Sequence, residues 1–171
     1  LPLAIIIAIP LVLQKPAEKI DLSADQLVIV SPHNEAIRFE FEQAFRDYYR
    51  ARTGRSVSID WRTIGGTSEI ARYVASAFTA NFRNLWANER GNPWSDEVAA
   101  AFLDRKLKPD HPLYPARQAF LDSDLGIGID LFFGGGQYDH HKQAGMGTLV
   151  PCGFKDRHPE LLAGDQPILV Q

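Results

Sequence analysis

Short apolar runs alternate with stretches of helical periodicity through this chain, and that alternation limits the possible folds more than any other feature. The run QLVIVS (26–31) is continuous and rich in β-branched residues, which is typical of a strand buried on both faces of a parallel sheet. SVSIDWR (56–62) alternates apolar and polar residues, and IGIDLFF (127–133) is a third apolar run. We therefore predict three strands at these positions.

The segments after the strands predict helices. The first helix ends at Gly54 and has an apolar face made of Ile37, Phe41, Ala44, Phe45 and Tyr48. The second begins with a cap at Thr67 or Ser68 and has an apolar face made of Ile70, Tyr73, Val74 and Ala77. QYDHHKQAGMG (137–147) predicts a short third helix, and TLVP (148–151) a short strand or extended stretch.

This order predicts an α/β fold with a parallel-rich sheet, helices on both faces and right-handed crossovers. If the strand order is 2-1-3, it reverses between the first and third strands, and ligands bind beyond the carboxyl ends at such a reversal. Residues 79–127 interrupt the rhythm, and we interpret them as an inserted helical elaboration with one helix capped by Ser95 and another opened by Pro115. With 171 residues, the chain has room for one ordinary domain, predicted over residues 26–171.

Composition narrows the class of partner. The formal net charge is −3 and the basic residues are scattered, so we predict no nucleic-acid partner. Cys152 is the single cysteine, which excludes an intrachain disulfide.

Residues 1–13 (LPLAIIIAIPLVL) carry no charged or polar side chain. As a helix they would span about 20 Å, less than the roughly 30 Å of a bilayer core, which suits the apolar part of a secretory signal or of an uncleaved anchor. A buried core strand is the alternative, which Pro2 and Pro10 disfavour. We expect residues 1–16 to be a signal or anchor segment, a periplasmic or other extracytoplasmic location, and membrane proximity through this segment.

Three turns are the candidate ligand site, because each lies where a predicted strand gives way to a helix. Helix starts present unpaired backbone N–H groups and partial positive charge, which suit an anion or a carbonyl-rich ligand. Three consecutive glycines at 134–136 indicate a positive φ or a close approach to the main chain. The candidate ligand-binding residues are Ser31, His33, Asn34, Thr67, Ser68, Gly134 and Gly135. Plain helix capping is the alternative for each turn.

Among the histidines, His33 follows a strand directly and is the candidate metal ligand, with a solvent-facing helix-start residue as the alternative. His140 and His141 are adjacent and cannot serve one site, so we predict both at the surface. Enzyme motifs fail in this chain. It has no P-loop, no GxSxG elbow, and no GxGxxG that follows a strand, so we predict no catalytic residue and no enzyme activity.

Ordered motifs then add a family resemblance over residues 26–151. The strand with its polar turn, the glycine–Thr/Ser turn of VSIDWRTIGGTSEIARYV, and GIDLFFGGGQYDHHKQAGMGTLVP together resemble the first lobe of extracytoplasmic solute-binding proteins of ABC importers, in the branch with ferric-iron binders. The resemblance implies a type II periplasmic-binding-protein-like lobe that closes on its ligand by hinge motion. It also implies a membrane permease as partner, and a second lobe that is absent or truncated here.

In that family, first-lobe contacts match Ser31, His33, Thr67, Ser68, Gly134 and Gly135. Ferric binders often use a histidine in the first turn, so ferric iron is a candidate cargo and no resident cofactor is expected. The alternative function is a nucleotide- or phosphoester-binding α/β enzyme domain that uses the same turns. A third is an interaction module without a small ligand.

Overall fold

The computed structural model describes residues 23–157 and residue 159 of the chain. Its strands there are β1 (Asp25–Val30), β2 (Val57–Arg62) and β3 (Leu131–Phe132). Its helices are α1 (Glu35–Thr53), α2 (Thr67–Arg83), α3 (Asp96–Ala101), α4 (Tyr114–Leu121), α5 (Gln137–Met146) and α6 (Phe154–Arg157), and a π-helical segment (Asn84–Glu89) continues α2. The predicted signal or anchor segment, residues 1–16, lies outside the described residues.

The three strands form one parallel sheet in the order β2-β1-β3, which confirms the α/β class and is the 2-1-3 order considered from the sequence. β1 pairs with β3 in parallel, with Ile29 opposite Leu131 and Val30 opposite Phe132. The order reverses between β1 and β3, as expected. β3 is shorter than the predicted run of 127–133, and residues 148–151 form no strand.

The described residues divide into two compact units, the first made of residues 23–28 together with 34–60. Within it, the Asn34 side chain caps α1 by accepting a 3.0 Å hydrogen bond from the amide of Ile37. At the other end Gly54, with φ 70°, donates its N–H to Arg50 and ends the helix. The carboxylate of Asp25 binds both the Tyr49 hydroxyl and the Arg55 guanidinium.

The apolar face predicted for α1 is wrong, because no residue of this helix is buried. Phe41 and Tyr48 are 54% and 57% exposed. The partly buried positions of α1 are Arg38, Glu42, Phe45, Arg46 and Tyr49, which share one face at helical spacing. Charged side chains are present on that face, and two of them, Arg46 and Glu42, pair with each other at 2.7 Å.

The second unit contains, among the described residues, 29–33, 61–157 and 159, and it holds an aromatic core around Phe82. The Phe82 ring lies 4.5 Å from Phe102, 5.7 Å from Phe120 and 5.8 Å from Trp86 between centroids. Residues 79–127, expected to be an elaboration, therefore supply most of this core, the buried members being Phe82, Val98, Phe102, Ala116 and Phe120.

Helix α2 joins the sheet to this core through residues spaced four apart: Ile70, Val74, Phe78 and Phe82. Tyr73, predicted on the same face, is 43% exposed. The Ser95 cap of α3 is confirmed by a 3.3 Å hydrogen bond from the amide of Val98, and Pro115 opens α4 as predicted. Within the described part of the chain, no helix combines the length and the apolar character that a membrane crossing requires.

Candidate functional site

The turns that follow β1 and β3 are in close contact. A Cβ placed on Gly134 would lie 2.8 Å from Nε2 of His33 and 3.1 Å from Cδ of Pro32. Gly134 also has a φ of 106°, which side chains rarely adopt. Two features therefore favour glycine at position 134. Its φ is unfavourable for other residues, and the neighbouring turn leaves no room for a Cβ.

The start of α2 reaches the same place. A Cβ on Gly135, whose φ is 84°, would lie 3.3 Å from Cγ2 of Thr67 and 3.2 Å from Cζ of Phe132. The three turns predicted from the sequence therefore meet within the second unit. We call this site the corner, made of residues 31–33, 65–68 and 134–136.

Ser31 lies beneath the surface of the corner, with 1% of its area exposed. Its Oγ accepts a 3.1 Å hydrogen bond from the amide of His33. Such a serine turn holds the backbone after β1 in place, so this hydroxyl orients the residues around it.

His33 is partly exposed, and its ring packs on Phe133 at 5.1 Å between centroids. Among the described residues, no group of three His, Cys, Asp or Glu side chains lies close enough to hold a metal ion. His33, the residue predicted from the sequence as a metal ligand, lies at the corner. A metal ion bound there would need further ligands from the solute or from elsewhere.

His140, predicted to be an unremarkable surface residue, lies beside the corner and is partly buried. Its Nε2 is 2.8 Å from the carbonyl oxygen of Gly134, and its ring packs on Phe132 at 5.0 Å. A carbonyl oxygen only accepts, so Nε2 carries a hydrogen and donates it. The sequence offers only a partial signal, which is that His140 lies about one helical turn after the N-cap Gly136.

The starts of the two corner helices differ. At α5, the carboxylate of Asp139 accepts a 3.1 Å hydrogen bond from the Gly136 amide, so an acidic side chain of the first turn already lies at this start. At α2, the cap residue is Gly66 and no side chain caps the helix, which corrects the expected cap at Thr67 or Ser68. Neither hydroxyl makes a hydrogen bond to any described residue.

Glu69 is the charged neighbour of that open start. Its side chain lies against Gly65 and Gly66, and Oε1 accepts a 2.7 Å hydrogen bond from the guanidinium of Arg72. Both partners are exposed, so solvent screens the charges. Asn34, the remaining predicted residue, belongs to the first unit, where its side chain is occupied as the cap of α1.

Comparison with known proteins identifies no family for this chain. No protein-family model matches it, and neither a curated protein nor a solved structure matches it significantly.

Proposed function

We propose that this chain is the ligand-binding first lobe of an extracytoplasmic solute-binding protein, of the type II periplasmic-binding-protein class, that delivers a small solute to an ABC permease. The observation that supports it is the meeting of three turns at one corner, at the strand-order reversal where parallel α/β sheets bind ligands. The proposal assigns capture and release of the solute and no covalent chemistry.

The start of α2 would make the main contacts. Its first-turn amides have no partner within the helix, and the helix dipole places partial positive charge there. The hydroxyls of Thr67 and Ser68 add two donors that are not used as caps. His33 would border the bound solute from the β1 turn, while Ser31 and Gly134 shape the turns. We therefore expect a small solute with acceptor oxygens, and a ferric complex remains a candidate cargo.

Calorimetry and thermal unfolding of the purified chain against a panel of small oxyanions, carboxylates and ferric complexes test this proposal. A solute that binds should raise the melting temperature by mass action and remain chemically unchanged. Replacing Thr67 and Ser68 with alanine should weaken its binding by about 1–3 kcal/mol, because hydrogen bonds to a charged acceptor are lost. Ser95→Ala, which removes a hydroxyl from a true helix cap, should leave the affinity unchanged.

Two results would count against this function. Steady turnover of a nucleotide or phosphoester by the wild-type chain would favour the enzyme alternative, which can use the same open helix start. An unchanged affinity in the Thr67 and Ser68 double variant would mean that the solute binds away from the corner.

A further inference from the structure

A mainly apolar cavity lies in the second unit, and no residue of the corner lines it. Its volume is about 170 Å³. Val74 and Phe78 of α2, Ile129, and Phe132 of β3 form its apolar walls. Leu131 and Val150, 45% and 84% exposed, also line it, so the cavity opens to solvent beside them.

One buried polar side chain, Gln143 of α5, also lines this cavity. Only 3% of Gln143 is exposed. The Thr148 hydroxyl oxygen lies 2.9 Å from its backbone oxygen and 2.6 Å from its side-chain oxygen. A hydroxyl has a single hydrogen, so it cannot donate to both acceptors at once.

Exchanging the nitrogen and oxygen of the Gln143 amide resolves this conflict, because Thr148 then donates to the backbone oxygen and accepts from the amide nitrogen. The amide oxygen is then left without a donor among the described residues. In the original orientation the nitrogen is left without an acceptor instead. Either way, one end of this amide has no protein partner among the described residues and is accessible from the cavity that Gln143 lines.

We propose that this cavity binds a neutral molecule of one ring that carries a single hydroxyl group. The size follows from the volume, since an apolar cavity of about 150 Å³ is known to hold benzene. A hydroxyl group both donates and accepts, so it serves the unpaired end of Gln143 in either orientation of the amide. A charged ligand would lose its hydration among the apolar walls, which favours a neutral one. This site is independent of the function proposed above.

Phenol and toluene form the sharpest pair of probes, because they differ only by a hydroxyl in place of a methyl group. A purely apolar cavity binds toluene more tightly, since burial of an unpaired hydroxyl is unfavourable. If Gln143 supplies the partner, phenol should bind the purified chain at least fivefold more tightly than toluene in calorimetric or NMR titrations. Benzoate, of similar size and negatively charged, should bind more weakly than phenol.

Gln143→Met keeps the side-chain length and removes the amide, so the preference should reverse in favour of toluene. Gln118→Met makes the same change at a position whose amide bonds Asp122 at the surface, and should leave the preference intact. If wild type binds toluene as tightly as phenol, or binds neither saturably because the cavity takes only water, the proposal is wrong. That wild-type comparison decides the matter even if Gln143→Met does not fold.

Discussion

The guanidinium of Arg117 donates a 2.9 Å hydrogen bond to the carbonyl oxygen of Gly145, in the last turn of α5. Its other terminal nitrogen lies 2.9 Å from the carbonyl of Phe102, at the end of α3. Arg117 is 6% exposed, so one buried cation joins the carboxyl ends of two helices. Those ends carry unpaired carbonyls and partial negative charge, which explains why a cation is stable there.

Arg117→Met should therefore lower the free energy of unfolding by about 3 kcal/mol, because it leaves buried carbonyl groups without donors. Urea denaturation followed by circular dichroism measures this. Arg83→Met, at an exposed position of α2, should change stability by about 0.5 kcal/mol or less. Equal effects of the two substitutions would contradict the role given to Arg117.

The cap assignments can be tested by removing hydroxyls. Ser95→Ala should cost about 1 kcal/mol, since Ser95 accepts from the Val98 amide. Thr67→Ala and Ser68→Ala should each cost much less, because Gly66 is the cap of α2 and neither hydroxyl is bonded to a described residue. Chemical denaturation of the three variants separates the cases. A loss at Thr67 comparable to that at Ser95 would mean that the hydroxyl has a structural role.

The stability cost of a side chain in the glycine turn can be compared with the cost at a glycine that has free space around it. Gly134→Ala should destabilise the protein by about 2–3 kcal/mol, because it combines an unfavourable φ with a Cβ that meets the His33 ring at 2.8 Å. Gly91 also has a positive φ, of 70°, but a Cβ placed there would meet no atom within 4 Å. Gly91→Ala should therefore lower the free energy of unfolding by only about 1 kcal/mol. Thermal and urea unfolding give both values, and equal costs would show that the contact with His33 adds nothing.

The importance of the aromatic core can be measured at its centre. Phe82→Ala removes a fully buried ring that packs on Phe102 and Phe120, and should cost about 3–5 kcal/mol. Phe39→Ala, at a ring that is 57% exposed on α1, serves as the matched control and should cost about 0.5 kcal/mol. If both variants unfold at the same denaturant concentration as wild type, residues 79–127 do not form the main core.

A pH effect is expected at Tyr49. The hydrogen bond to the Asp25 carboxylate, 2.5 Å long, raises the pKa of the Tyr49 hydroxyl above its ordinary value near 10, with burial and the charge of Asp25 adding to it. The protonated phenol is thus favoured in the folded state. Its contribution to stability is fully present below the unfolded pKa and is lost as the pH rises through the folded one.

Absorbance titration of the phenolate should accordingly show a step above the ordinary tyrosine pKa near 10, and Tyr49→Phe should remove that step. Above about pH 10, the stability of wild type should fall more steeply than that of Tyr49→Phe. Tyr138→Phe, which removes an exposed hydroxyl, should leave the high-pH step in place. A Tyr49→Phe titration identical to that of wild type would contradict the assignment.

Local sequence signals predicted the elements that depend on short-range chemistry. The strands β1 and β2, the Ser95 cap and the glycine turn all follow from residue type and spacing. The burial of a helix face depends on distant residues and was harder to foresee. In α1, apolar spacing favoured Phe41, whereas the inward face holds paired charges such as Arg46 and Glu42.

The aromatic core and the contact of His140 at the corner also depend on residues that are distant in the sequence, so local patterns did not predict them. Residues 79–127 lack strand periodicity, which favoured an elaboration, yet their aromatic side chains converge on Phe82 only after the chain folds. The approach of His140 to Gly134 depends on the angle at which α5 leaves the glycine turn, which no local motif encodes. The meeting of the three turns was predictable because strand order in a parallel sheet fixes it.

The three tryptophans are divided between the two regions of the second unit. Trp86 and Trp94 contact Phe82 in the aromatic core, whereas Trp61 lies 6.3 Å from Phe133, the residue on which His33 packs. Intrinsic fluorescence therefore contains two separable optical reporters. A chain that keeps Trp61 and carries phenylalanine at the other two positions would signal events at the corner without any added label, and the reverse variant would signal the melting of the interior.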